Sequence, residues 1–322
     1  MSINKIIKFK LSILLVTYNH QAHLHKALES IFEQKFDELI ELVIADDSSS
    51  DDTMAIINCY EGRDSRFIFK YLNNSNNLGI TRNYQRGFAA CSGQYVAVLE
   101  GDDYWISPFK LQRQIDFLDT HWESNLCSVN YFVFEEDRSH FYPRGTVGKG
   151  YRLLGARELI ADNLVGNFST CMYRKSALNE LPEELFSIRS YDWIVNIYVA
   201  RESMIGFLEE PMSVYRLHSG GAWTQKTHIE KLKEQLDIIP AYDALTNKIF
   251  RYEFDLLSSG LRHAIAVSQI GKATQKVAKP LVSGVTHLLD YMPPILVVFG
   301  RAILPPVLKK LILRVLNGSR AR

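Results

Sequence analysis

The sequence predicts an α/β fold built on a mostly parallel sheet flanked by helices, and three observations carry that expectation. Short apolar runs recur through the first half of the 322-residue chain, among them Ser12–Thr17, Glu41–Ala45 and Tyr95–Leu99. Continuous runs of this kind mark strands buried on both faces. Segments with apolar residues at helical spacing separate the runs. Polar and acidic residues follow directly after them, where an open parallel sheet receives its ligand.

Taken in order, Ser12–Thr17 is the first strand. His23–Phe36 is a helix with Leu24, Leu28, Ile31 and Phe32 on one face. Glu41–Ala45 is the second strand, and Asp52–Tyr60 a short helix with acids near its N-terminus, which the helix dipole favours. Phe67–Leu72 is the third strand. Asn77-Leu78-Gly79 makes a turn into a helix over Ile80–Ala90 that carries Tyr84 and Phe88 inward. Tyr95–Leu99 is the fourth strand, Phe109–Asp119 a helix, and Ser128–Phe134 a strand by alternation. Such strand–helix alternation folds into a parallel sheet covered on both sides. After about residue 225 the pattern changes to helical segments over Gln225–Lys248 and Phe250–Val267, then to prolines at 293, 294, 305 and 306. The expected division is an α/β domain over 1–225 and a helical C-terminal extension over 226–322.

Composition bounds the function. Hydrophobic residues make up 47% of the chain, enough for a large core, and the formal net charge is +1. A nucleic-acid binder would show a basic excess, so none is expected as partner. Six basic residues and no acid lie from Arg301 onward, leaving the body ahead of them net acidic. The four cysteines form no Cys-x-x-Cys pair, as expected of free thiols in a reducing, cytoplasmic setting. No stretch approaches the ~20 apolar residues of a membrane-spanning helix. The N-terminal lysines and apolar run read as a strand, because Tyr18, Asn19 and His20 end the run without a cleavage site.

Three strand ends carry the unusual residues: Thr17-Tyr18-Asn19, Asp46-Asp47-Ser48-Ser49-Ser50-Asp51-Asp52-Thr53, and Glu100-Gly101-Asp102-Asp103. Any one of them is explained by helix capping or turn formation. Together, on one rim, they imply a shared ligand. Clustered carboxylates repel unless a cation intervenes. An oxygen-rich set such as Glu100, Asp102 and Asp103 suits Mn²⁺ or Mg²⁺ rather than zinc. Asp47 can accept a pyrimidine N–H, Tyr18 can lie against the base, and Arg82 can meet base or phosphate.

These segments resemble family 2 glycosyltransferases with the Rossmann-like GT-A fold. The resemblance covers roughly residues 10–222 and rests on SILLVTYN, VIADDSSSDDT, NNLGITRNYQRGF, SGQYVAVLEGDDYW, SYDW and YRLHSGG in that order. It implies an inverting, metal-dependent transferase with a nucleotide-diphosphate sugar donor, UDP-linked. It implies that Thr17, Tyr18 and Asn19 hold the nucleotide, Asp47 meets the base and Arg82 supports it. Glu100-Gly101-Asp102 stands where the family keeps an Asp-x-Asp motif, with Glu100 a departure from the usual first Asp. Asp192 matches the catalytic base, although Tyr191 precedes it where an acid is usual. His218 matches a contact to the metal or diphosphate, and Arg216 lies on the diphosphate side. Asn167-Phe168-Ser169-Thr170 is expected to face the acceptor, a glycan or a lipid-linked sugar of cell-surface polysaccharide synthesis. Two other functions share parts of this pattern. A sugar nucleotidyltransferase would need a Gly-rich basic loop after the first strand, where this chain has TYNHQAHLHK. An inactive sugar-nucleotide-binding protein would lack Asp102, Asp103 or Asp192, and all three are present.

The tail reads PVLKKLILRVL over 306–316, with an apolar stripe at helical spacing and Lys309, Lys310 and Arg314 between. One expectation is a helix docked on the body. The other is an interfacial helix on the anionic inner face of the cytoplasmic membrane.

Overall fold

The computed structural model describes residues 8–189, 192–221 and 226–269. The chain divides into two units, Met1–Arg262 and His263–Arg322. Of the second, only 263–269 are described, and they are helical. The basic tail therefore lies outside the described residues.

The first unit follows the expected alternation as far as its fourth strand. β1 (Leu11–Thr17), α1 (Leu24–Phe32), β2 (Ile40–Asp46), α2 (Thr53–Asn58), β3 (Phe67–Tyr71), α3 (Ile80–Ala90) and β4 (Tyr95–Glu100) come in that order. Then come β5 (Tyr104–Trp105), α4 (Lys110–Thr120), β6 (Ser124–Glu135), β7 (His140–Pro143), β8 (Tyr151–Leu154) and α5 (Ala156–Ala161). β9 (Cys171–Arg174), α6 (Lys175–Asn179), α7 (Asp192–Val199), β10 (Met204–Leu217) and α8 (His228–Leu245) complete it.

One ten-stranded sheet runs β3-β2-β1-β4-β9-β6-β10-β5, with β7 on β6 and β8 on β10. β1, β2, β3 and β4 pair in parallel, as do β6 and β10. The sheet is thus the expected mostly parallel one. β9 lies antiparallel between β4 and β6. Two successive reversals leave β6 and β10 pointing the same way as β1 and β4. The carboxyl ends of β1, β2, β4, β6 and β10 therefore share one rim.

The apolar runs are buried on both faces, as continuous strands between helix layers must be. Because side chains alternate along a strand, Leu14 and Val16 of β1 join one core with Tyr84, Phe88, Ile194 and Ile197. Leu11, Ile13 and Leu15 join the other with Leu24, Leu28, Leu111 and Ile115. Helices α3, α5 and α7 cover the first face, and α1 and α4 the second. Ile239 and Tyr242 of α8, with Phe250 and Phe254 after it, belong to the first core.

Candidate active site

The rim is assembled by register. Thr17 stands opposite Asp46, and Val16 opposite Glu100. Thr17 Oγ1 donates to Asp46 Oδ1 at 2.8 Å. Asp46 Oδ2 accepts the Ser49 N–H at 2.9 Å, closing the turn after β2. Asn19 and Ser48 take left-handed backbone, with φ of 54° and 64°. Asn19 is the cross-brace: its N–H donates to Ser49 Oγ and its Oδ1 accepts the Ser50 N–H, both at 2.8 Å. Tyr18 is 46% exposed, so its ring is free to stack on a ligand.

Asp47 is buried, and its carboxylate accepts the N–H groups of Leu78 and Gly79 at 2.8 and 2.9 Å. It thereby anchors the turn that opens α3. Arg82 is half exposed and donates to Glu183 at 2.8 Å. The arginine that reaches the rim is Arg86, one turn further along α3. Its guanidinium donates to the carbonyls of Leu72 at 3.0 Å and of Asp46, and it stands within charge range of both Asp46 and Asp47. Arg82 and Arg86 are four residues apart in RNYQRGF, and sequence alone offers no reason to prefer the second.

The acidic turn after β4 splits its three carboxylates. Glu100 reaches back to α3, where Tyr84 Oη donates to it at 2.7 Å. Burial and the Asp102 charge raise the Glu100 pKa above the ordinary range. Asp103 points inward. Its Oδ2 accepts from Ser169 Oγ at 2.7 Å and its Oδ1 from the Arg216 N–H at 2.9 Å. Burial, then the charges of Asp102 and Glu100, push its pKa well up. Asp102 faces the rim. Its Oδ2 lies 3.1 Å from His218 Nε2 and 3.8 Å from His20 Nε2. Burial would raise its pKa, but the His218 hydrogen bond and the two imidazole charges hold it below the usual value. Gly101 lets this turn close on β1: a Cβ there would lie 2.7 Å from Thr17 Cγ2 and 2.8 Å from His20 Nδ1.

β5 pairs with β10 through Trp105↔Ser213 and Tyr104↔Val214, which brings Arg216 beside the acidic turn. Arg216 Nε donates to the Asp102 carbonyl at 2.9 Å and Nη1 to Glu136 Oε1 at 3.0 Å. His23 Nδ1 is 3.8 Å from the same Glu136 oxygen, and its ring packs edge-on to His218 with centroids 4.5 Å apart. Burial, then the Arg216 and His218 charges, lower the His23 pKa. Glu136 and His23 were missed by sequence reasoning, although Glu136 directly follows a strand whose carboxyl end lies on this rim.

Asp192 opens α7. Asn163 Nδ2 donates to its Oδ2 at 3.0 Å, and burial pushes its pKa up to about 6 despite that bond. Glu100 and Tyr84 both lie within charge range of Asp192.

The family model described as Glycosyl transferase family 2 matches residues 12–182. The chain belongs to glycosyl transferase family 2. Its fold is the GT-A fold. Staphylococcus aureus TarS, in complex with UDP-GlcNAc, superposes with a TM-score of 0.57 at 17% identity, covering 77% of this chain and 73% of that one. The mannosyltransferase PcManGT of Pyrobaculum calidifontis, in complex with GDP-Man and Mn²⁺, gives 0.53 at 12% identity, covering 87% and 84%. Among relatives, an uncharacterised protein of Mycobacterium bovis is 32% identical over 216 residues, 66% of this chain and 60% of its own length. The Escherichia coli UDP-Glc:alpha-D-GlcNAc-diphosphoundecaprenol beta-1,3-glucosyltransferase WfaP is 35% identical over 134 residues, 39% of this chain and 47% of its own. The matched stretch thus spans less than two thirds of either relative.

In this family 2 chain the geometry draws Thr17, Asn19, Asp47, Asp102, Asp103, Arg216 and His218 onto one rim through direct contacts. Tyr18 borders it, Glu100 lies behind it against Tyr84, and Asp192 with Asn163 lies within charge range of Glu100. Arg82 stands apart on the Glu183 side.

Proposed function

We propose that the protein moves a sugar from a nucleotide-diphosphate donor, a UDP-sugar, to a hydroxyl of a lipid-linked or glycan acceptor, with inversion, in cell-surface polysaccharide synthesis. The observation that carries this reading is the buried carboxylate of Asp192, bonded by Asn163 and within charge range of Glu100 in the acidic turn. The UDP-GlcNAc complex of TarS and the lipid-diphosphate acceptor in the E. coli relative's name support the choice of donor and acceptor.

The residues fit a divalent cation. Burial first, and then the charge of Asp102, raise the pKa of Glu100 and Asp103, and three carboxylates in one turn repel one another unless a cation sits among them. Asp102 and His218 would hold the ion, because the Glu100 and Asp103 carboxylates are engaged by Tyr84, Ser169 and Arg216. Such an ion, Mn²⁺ or Mg²⁺, would supply positive charge against the diphosphate. The chain's own groups do the rest. Tyr18 stacks on the base, Thr17, Asn19 and Asp47 shape its pocket, and Arg216 adds fixed positive charge where the diphosphate leaves. Asp192 takes the proton of the acceptor hydroxyl as that oxygen attacks the anomeric carbon. One base opposite the leaving group gives direct displacement through an oxocarbenium-like state.

The test supplies UDP-glucose, Mn²⁺ and a short-chain lipid diphosphate carrying N-acetylglucosamine, with and without EDTA. Chelator-sensitive release of UDP with formation of a lipid-linked disaccharide is expected. Absence of nucleotide release from a panel of UDP- and GDP-sugars overturns the reading.

We further propose that the segment 292–322 binds an anionic membrane surface on the cytoplasmic face, near such an acceptor. No helix among the described residues is long and apolar enough to cross a membrane. Flotation with phosphatidylglycerol vesicles at low salt should recover the intact chain and not one ending at residue 291. Equal recovery of both in the unbound fraction refutes it.

A further inference from the structure

Beside the acidic turn, β6 and β10 end together. Glu135 pairs with Leu217 in their parallel register, so Glu136 and His218 are the first residues beyond the two strands. His23 comes to the same place from the turn after β1. It caps α1, and the His23 and Leu24 N–H groups both donate to the His20 carbonyl, at 2.9 and 3.0 Å. One ligand atom from each of His23, Glu136 and His218 lies within 4.8 Å of the other two. His23 Nδ1 is 3.8 Å from Glu136 Oε1, and the two imidazole rings meet edge to face. Each side chain thus leaves the end of a regular element, and both rings are largely buried.

This donor set differs from that of the acidic turn. Glu100, Asp102 and Asp103 offer oxygen alone, which suits Mn²⁺ or Mg²⁺. Two imidazoles and one carboxylate are a nitrogen-rich set, which suits zinc. Three protein ligands hold zinc when a fourth position stays open. Ligand atoms bonded to zinc at about 2.1 Å stand roughly 3.4 Å apart, so the three side chains close on an ion through small rotations. Arg216 Nη1 donates to Glu136 Oε1 at 3.0 Å. A carboxylate has about four lone-pair sites, so that bond leaves Glu136 able to ligate. It also fixes the carboxylate, as the outer partners of metal ligands do. The Arg216 charge opposes an ion there, and the carboxylates of Glu136 and Asp102 stand against it. His20 lies on the Asp102 side, with Nε2 3.8 Å from Asp102 Oδ2.

We propose that His23, Glu136 and His218 form a zinc site, distinct from the Asp102 site and in competition with it for His218. A neutral imidazole carries one N–H and one lone pair. His218 therefore serves one ion at a time. Zinc held by His23 and Glu136 draws the His218 lone pair away from a cation beside Asp102, and Mn²⁺-dependent donor binding weakens. Zinc is then an inhibitor that acts without resembling donor or acceptor. The zinc site itself stands on the geometry of the three side chains, and its effect on the donor rests on the glycosyl-transfer reading above.

The experiment titrates the metal-free full chain with Zn²⁺ by calorimetry and with Co²⁺ by visible absorption. The parent should bind zinc, and cobalt should give the intense bands of a site with fewer than six ligands. His23→Ala, His23→Gln and Glu136→Gln should each lose about 100-fold in Zn²⁺ affinity, and the cobalt bands with it. The two His23 variants guard against a folding fault in one. Asp102→Ala should lose about tenfold or less, because Asp102 only bonds a ligand. Zinc equimolar with the protein should lower the Mn²⁺-dependent UDP affinity of the parent about tenfold. In His23→Ala the same zinc should change that affinity less than about twofold from its own zinc-free value. Zinc affinities of His23→Ala and Glu136→Gln equal to the parent's overturn the site. So does a larger loss in Asp102→Ala than in either, which puts zinc on the acidic turn. If zinc binds as expected and leaves UDP affinity unchanged, the competition for His218 is overturned. If UDP binds neither with nor without Mn²⁺, the glycosyl-transfer reading falls, and the zinc affinities and cobalt bands still decide the site.

Discussion

The rim of the parallel strands and the 163–167 turn are built on opposite plans. On the rim, the carboxylates of Asp46, Asp47, Glu100, Asp102 and Asp103 all have partners within the chain. In the turn, Asn163 and Asn167 leave three buried polar atoms without a partner among the described residues. Apart from His20 Nδ1, which is buried without a partner among the described residues, the rim's groups are satisfied, and such a surface holds its shape without ligand. A surface with unpaired groups gains most when a ligand completes it, and rejects one that cannot. The difference teaches that the rim keeps its carboxylates paired without a ligand, whereas the 163–167 turn does not satisfy its own amides.

The largest effect expected from this contrast is at Asp192. Asp192→Asn should cut turnover on the order of 10²–10⁴-fold while calorimetric UDP affinity stays near the parent's. Because only the ionised carboxylate can take a proton, turnover of the parent should fall about tenfold per pH unit below about 6. A flat profile between pH 5 and 7 would remove Asp192 from the role.

The next effect separates the two neighbouring acids of the rim. Asp102→Ala removes a carboxylate that faces outward, so Mn²⁺-dependent UDP affinity should drop at least tenfold with the melting temperature nearly unchanged. Asp103→Ala strands the Arg216 N–H and the Ser169 hydroxyl. It should cost about 2–4 kcal/mol and lower the melting temperature by roughly 5–10 °C. Identical behaviour of the two variants, in calorimetry and in thermal scans, would erase the distinction between a facing and a supporting carboxylate.

The smallest effect compares two arginines. Arg82 makes an exposed ion pair with Glu183, and such pairs contribute about 0–1 kcal/mol. Arg82→Ala should therefore leave UDP affinity within about twofold. Arg86→Ala frees the Asp46 and Leu72 carbonyls at the rim and should weaken UDP several-fold. The reverse order would restore Arg82 to the nucleotide pocket.

How much of this was legible follows from sheet architecture. Continuous apolar runs identified β1, β2 and β4 and put Thr17, Asp47 and the Glu100–Asp103 turn at their ends. Only the register of a parallel sheet is needed for that step. β9 left no such trace. It is four residues long, its pattern CMYR mimics no period, and its antiparallel place between β4 and β6 is a tertiary fact. Without it, β6 and β10 could not be assigned to the same rim, and Glu136 stayed hidden. The inward turn of Asp103 was equally out of reach, since Asp102 and Asp103 are chemically identical and only the β5–β10 pairing separates them. Asp192 and His218 came from the family resemblance, and no periodicity in the chain points to either.

The antiparallel clip between β5 and β10 also ties the end of β10 to the acidic turn. Asp103 grips the backbone of Arg216, and β10 ends at Leu217. Everything up to that point is moored to the acidic turn and to the sheet. His218, the first residue past that anchor, meets Asp102 through its ring. The acid that holds β10 by its backbone and the acid that meets His218 are thus adjacent residues of one turn.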